Sequence, residues 1–240
     1  ARERYQSLHL YATTSLLLTG CDLPSDVLER GVLSLGTSRK GSDAFVTAHT
    51  ILLVDCSGSM SKADVVTAPV DNGGATMQTR ASAVLGLLSR NFVRTQIEAG
   101  AVSSERVSLI KIQGVETAAS LLRALPFALL PIDHKLAGKI DAALGEPRSH
   151  GPYLPALSLL AKLIELCAPY LVPRAKTNVL FLSDGRPSDR VDSTELPGRL
   201  KAALGRVHDA FVSTHTFLES FQLLGFGEAD EKLLKLMAGM

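Results

Sequence analysis

The sequence predicts an α/β fold with a mainly parallel central sheet and helices on both faces. Two continuous apolar runs, "ILLV" at 51–54 and "VLFL" at 179–182, have the length and composition of strands covered from both sides. Between and after them the apolar residues recur at helical spacing, and strands separated by helices are the pattern of a parallel sheet. Both runs also end in an acid, Asp55 directly and Asp184 one residue later. Parallel sheets gather their chemistry at such carboxyl ends.

Along the chain, a partly buried helix is expected over roughly 3–18, then an irregular lead-in over 20–50, punctuated by Gly20, Pro24, Gly31, Gly36, Gly41 and Asp43. "LLLTGC" at 16–21 resembles a lipoprotein cleavage box, but His9, Tyr11, Thr13 and Thr14 interrupt the apolar stretch it needs. The strand at 51–54 leads into a polar loop over 61–79. A helix with Val84, Leu88 and Phe92 on one stripe follows and ends near Gly100. "RVSLIKI" at 106–112 is the next strand, and "AASLLRAL" at 118–125 reads as an edge strand. One helix carries Leu136, Ile140 and Leu144 and stops at Gly145; a second begins around Pro152–Pro155 and carries Leu157, Leu160, Ile164 and Cys167. "NVLFLSDG" at 178–185 is strand and turn. A helix near 195–206, a strand in "FQLLGFG" at 221–227 and a closing helix in "EADEKLLKLMA" complete the pattern. His208 and His215 are placed in a polar connection.

A composition of 46% hydrophobic and 20% charged residues suits one well-filled domain with a short extension and excludes disorder. The 25 Lys and Arg balance 24 Asp and Glu, and no basic block stands out, so no nucleic-acid partner is expected. No apolar run is long enough to cross a bilayer. Three cysteines, Cys21, Cys56 and Cys167, have neither disulfide-framework nor metal spacing, which points to a cytoplasmic or otherwise intracellular setting. The chain starts at Ala1 without an initiator Met and is expected to be a segment of a longer protein.

The stretch "DCSGS" at 55–59 puts Asp55, Ser57 and Ser59 in one tight loop, with Gly58 permitting the bend. Carboxylate and hydroxyl oxygens are hard ligands that suit Mg2+ or Mn2+ rather than zinc. Asp184, at the end of the second strand, is placed to face the same ligand. The competing reading is a hydrogen-bonded loop in which short polar side chains satisfy backbone donors without an ion. A nucleophilic serine is disfavoured because the Gly-x-Ser-x-Gly elbow is missing, and the chain is not expected to be an enzyme. Phosphoryl transfer through Asp55 is disfavoured because haloacid dehalogenase-like enzymes carry a second Asp where Ser57 stands. Cys56 reads as an apolar filler, while Arg186, Asp189 and Arg190 read as solvated residues flanking the site.

Asp55-Cys56-Ser57-Gly58-Ser59 resembles the Asp-x-Ser-x-Ser signature of von Willebrand factor A domains, whose metal-ion-dependent adhesion site crowns a Rossmann-like sheet. "VLFLSDGRPSD", "LLGFGEADEKLLKLMA" and "RASAVLGLL" are similar to that family's fourth-strand segment, fifth strand with its helix, and first helix. The resemblance spans roughly 48–240, leaving 1–47 as an N-terminal extension, and implies a further strand and helix beyond Met240. It implies a protein-interaction module in which Ser57 and Ser59 ligate Mg2+ (or Mn2+) directly and Asp184 acts through water. A carboxylate from a protein partner would complete the shell.

One position departs from the family pattern. Tyr153, Pro155, Ala156 and Leu157 of "SHGPYLPALSLL" match the family's third loop, which puts Gly151 where a threonine ligand is usual. Ser149 and His150 are the alternative contributors from this loop, and a Gly151→Thr change is expected on these grounds to tighten metal binding. The alternative function is a structural scaffold domain of a larger assembly, with a degenerate, metal-free site.

Overall fold

The computed structural model describes residues 46–66, 77–100, 104–114, 123–148, 150–226 and 230–238. The expected helix over 3–18, most of the lead-in, and Ser149 lie outside these residues.

Five strands form the main sheet: β1 (Val46–Asp55), β4 (Glu105–Ile112), β5 (Phe127–Pro131), β6 (Leu171–Ser183) and β7 (Phe217–Gly225). Their order is β5-β4-β1-β6-β7. β1 pairs in parallel with β4 and β6, and β6 pairs in parallel with β7, while β5 runs antiparallel to β4 at one edge. The chain moves outward from β1 on one side and returns to its other side for β6, so the order reverses between β1 and β6. Asp55 and Asp184 emerge at that reversal, because Val54 pairs with Leu182 in register.

Side chains alternate across β1 and divide the core in two. Ile51 and Leu53 join Ile110, Ile112, Val179 and Phe181 under α4 (Tyr153–Cys167), α5 (Leu196–Ser213) and α6 (Glu231–Ala238). Leu52 and Val54 join Val107, Leu109 and Leu182 on the other face. That face is covered by α1 (Arg80–Gly86), its continuation through a π-helical stretch (Leu87–Val93) and α2 (Arg94–Glu98), and by α3 (Leu136–Leu144). Burial on both faces explains why the strands read as unbroken apolar runs.

The chain departs from the sequence-based expectations at several places. β1 begins at Val46, ahead of Ile51. Part of the polar loop over 61–79 forms a small antiparallel hairpin, β2 (Ala63–Val66) with β3 (Met77–Thr79). The edge strand is Phe127–Pro131; Arg123 and Ala124 before it are helical, and the rest of "AASLLRAL" up to 122 lies outside the described residues. His208 lies within α5, which runs on to Ser213. The stripe of the first helix shifts by one residue after Leu88: Val84, Leu88 and Val93 are buried, and Phe92 is only partly so. The π-helical turn supplies the reason, since i→i+5 bonding inserts one extra residue before the chain returns to the core face.

Candidate functional site

Three loops meet above the carboxyl ends of β1 and β6. The first follows β1, where the Ser57 backbone N–H donates to Asp55 Oδ1 at 2.8 Å and the Ser57 and Ser59 hydroxyls share a hydrogen bond of 2.9 Å. The second follows β6. Ser183 Oγ donates to Asp55 Oδ2 at 2.5 Å and lies 2.6 Å from the Tyr153 hydroxyl. A serine hydroxyl has one proton, so with that proton on Asp55, Tyr153 must donate to Ser183, and the Gly185 N–H does so too at 3.2 Å. The Tyr153 ring is held edge-on to Phe181, with centroids 4.9 Å apart.

The third loop reaches the site through Gly151. A β-carbon there would lie 2.9 Å from Asp55 Oδ1 and 3.1 Å from Ser57 Cβ, so the glycine lets this loop close on the carboxylate. Its carbonyl accepts from the Ser188 N–H at 3.2 Å, tying the second and third loops together. Asp189, read from the sequence as solvated, instead caps α4, accepting the Tyr153 N–H at 2.8 Å and the Leu154 N–H at 3.0 Å. Pro155 brings no third donor, so this carboxylate completes the first turn. His150 is exposed, as are Arg186 and Arg190.

Burial pushes the Asp55 carboxyl above the usual carboxylate range and the neighbouring Asp184 charge adds to this, against the hydrogen bonds from Ser183 and Ser57. Burial likewise raises Asp189, opposed by the two backbone donors it accepts. A carboxyl whose folded pKa is raised holds its proton more tightly when folded, so its contribution is full below the unfolded pKa and is lost as pH rises through the folded pKa. Stability relative to Asp189→Asn should therefore fall as pH rises from about 4 through the raised value. Urea titrations of both proteins across this range test it; a constant difference would show that Asp189 does not titrate abnormally. Cys56 is buried and its thiol is pushed up to about 12 by burial, which fits a packing role.

Arg80 was not singled out from the sequence. It is fully buried, and its Nη1 donates to Asp184 Oδ2 at 2.8 Å. Its Nε donates to Asp64 of β2 at 2.9 Å, and Nη2 also pairs with that carboxylate. The second oxygen of Asp184 accepts the Arg186 N–H at 3.0 Å. A signal was present in the sequence: Arg80 directly follows Thr79, whose hydroxyl caps α1 by accepting the Ser82 N–H. A cation in a first helical turn opposes the helix dipole and calls for a local anion.

The donor set is compatible with a hard divalent cation. Bonds of 2.0–2.1 Å in a magnesium octahedron place neighbouring oxygens about 2.9 Å apart, the separation of the Ser57 and Ser59 hydroxyls. A carboxylate has about four lone-pair sites, so Asp55 keeps acceptor capacity beyond the hydrogen bonds from Ser183 and Ser57. Among the described residues no group of three or more His, Cys, Asp and Glu side chains could hold a metal, so a cation here would need oxygens other than carboxylates, such as the Ser57 and Ser59 hydroxyls.

No protein-family model and no curated protein matches the chain. Among solved structures it is similar to the pilus adhesin SpaC from Lactobacillus rhamnosus GG in an open conformation, with a TM-score of 0.51 and 14% identity over 85% of this chain and 27% of that one. It is also similar to the manganese-loaded TRAP protein of Plasmodium vivax, with a TM-score of 0.42 and 16% identity over 82% of this chain and 63% of that one. The chain thus spans about a quarter of SpaC and less than two thirds of TRAP. At this identity the likeness to SpaC is one of fold, and the looser TRAP match adds nothing to it.

Proposed function

We propose that the chain is a protein-interaction module that engages its partner through a divalent cation, Mg2+ or Mn2+, at the top of the sheet. The observation that carries this reading is the convergence of Asp55 with the paired Ser57 and Ser59 hydroxyls at the point where the strand order reverses. The resemblance of "DCSGS" to the von Willebrand factor A signature supports it, as does a fold shared with a pilus adhesin. In this reading Asp55, Ser57 and Ser59 hold the ion and Ser183 orients Asp55, with Tyr153 steadying Ser183. The bound ion would offer a Lewis-acidic position to a carboxylate of a protein partner. Binding, rather than catalysis, is the role assigned.

A ligand that binds only the folded state raises its stability, so Mg2+ or Mn2+ should raise the melting temperature over that in EDTA. Asp55→Ala should abolish this shift while leaving the domain folded. A shift of equal size in Asp55→Ala would place the ion elsewhere. A second reading, a scaffold domain without metal, is favoured by the Arg80–Asp184 pair, which already supplies a cation to one of the two strand-end acids. Absence of any metal-dependent shift in the parent would select it.

A further inference from the structure

We propose that Arg80 is a built-in counter-cation that sets the divalent-ion affinity of this site by neutralising Asp184, an inference that rests on the metal-site reading above. Both side chains of the pair are fully buried, and their 2.8 Å contact is charge-assisted. Arg80 is anchored from behind by Asp64, through Nε at 2.9 Å and through Nη2. Its backbone N–H is anchored as well, by the Lys62 carbonyl at 3.0 Å. The guanidinium is thus clamped between the β2–β3 hairpin and the end of β6.

The consequence is electrostatic. Asp55, Asp184 and Asp64 would together carry three negative charges around a divalent ion, and Arg80, paired with both Asp184 and Asp64, reduces the sum to two. Arginine stays protonated under all relevant conditions, so the offset is permanent. A fixed positive charge near a cation site weakens binding, and a buried one is poorly screened by salt.

This separates Arg80 from a merely structural residue, because affinity should follow local charge rather than the presence of any one side chain. Mn2+ dissociation constants would be measured by electron paramagnetic resonance and calorimetry on the full 240-residue chain. Arg80→Met should bind about tenfold more tightly than the parent and Asp184→Asn about tenfold more weakly. Arg80→Lys, which keeps the charge, should stay near the parent. The decisive variant is Arg80→Met with Asp184→Asn, which removes both charges and should return to within about threefold of the parent. If it stays as weak as Asp184→Asn alone, Asp184 acts on the ion as an oxygen source and Arg80 is not its counter-cation. That double variant carries the test even where Arg80→Met alone fails to fold. An unchanged affinity in a folded Arg80→Met would also overturn the proposal, while leaving the metal site standing if Asp55→Ala still abolishes binding. Mn2+ binding that survives Asp55→Ala would instead overturn the site itself, and no binding in any variant would overturn both.

Discussion

Arg80→Met should lower the unfolding free energy of the metal-free domain by about 3–5 kcal/mol, the loss expected when one member of a buried ion pair is removed. Asp184 is fully buried, and without the guanidinium its carboxylate loses its charge-assisted partner and is left with the Arg186 N–H. Asp64 loses its partner as well, but its side chain is 24% exposed and can recover hydration. The Arg80 hydrogen bond that holds Asp64 below the usual carboxylate range would be gone, so Asp64 should titrate closer to its ordinary value. Adding Asp184→Asn should recover much of the lost stability, because the amide no longer carries a buried charge. Urea denaturation of the parent, both single variants and the double variant measures the coupling. Strictly additive losses would mean that the pair contributes packing but not charge compensation. Saturating Mn2+ should also restore part of the stability of Arg80→Met, since the site's unbalanced negative charge would then have a mobile cation to answer it.

Gly151→Thr should lower stability by about 1–3 kcal/mol and weaken metal-dependent stabilisation, with Gly151→Ala showing a smaller loss in the same direction. The sequence alone led to the opposite expectation, that a threonine would restore a missing ligand. The structure changes the sign because the position is filled by proximity. A β-carbon at 151 would stand 2.9 Å from Asp55 Oδ1, and Asp55 cannot easily retreat while held by Ser57 on one oxygen and Ser183 on the other. The backbone of Gly151 is outside the left-handed region, so the penalty is one of contact and not of φ. Thermal unfolding in EDTA and in Mg2+ separates the two effects. Tighter Mg2+ binding by the Thr variant than by both Ala and parent would show that the loop can open to admit the hydroxyl, and would restore the ligand-repair expectation.

Periodicity made the layers of this protein legible. The runs 51–54 and 179–182 announce strands buried on both faces, and the observed β1 and β6 lie side by side with these residues paired. Leu136, Ile140 and Leu144 mark a helix face directly, because three-to-four-residue spacing is a local property of the chain. The same reasoning misplaced Phe92, since a single π-helical turn alters the phase without altering composition. The edge strand was likewise displaced, to Phe127–Pro131, because a short apolar run does not declare whether it is helical or extended.

By itself the sequence determined which residues were available for chemistry at the strand ends: Asp55, Ser57 and Ser59 in one tight loop, and Asp184 at the close of a second strand. Only the tertiary structure decided what those residues touch. Asp184 faces Arg80 from 104 positions away, Ser183 donates to Asp55 across 128, and Asp189 caps a helix that begins 36 residues earlier. Hydrogen bonds and ion pairs of this kind act over about 3 Å and follow no period along the chain. They exist only once the sheet order has brought β1 and β6 together, which is why an arginine unremarked in the sequence proves to be the charge partner of a candidate metal site.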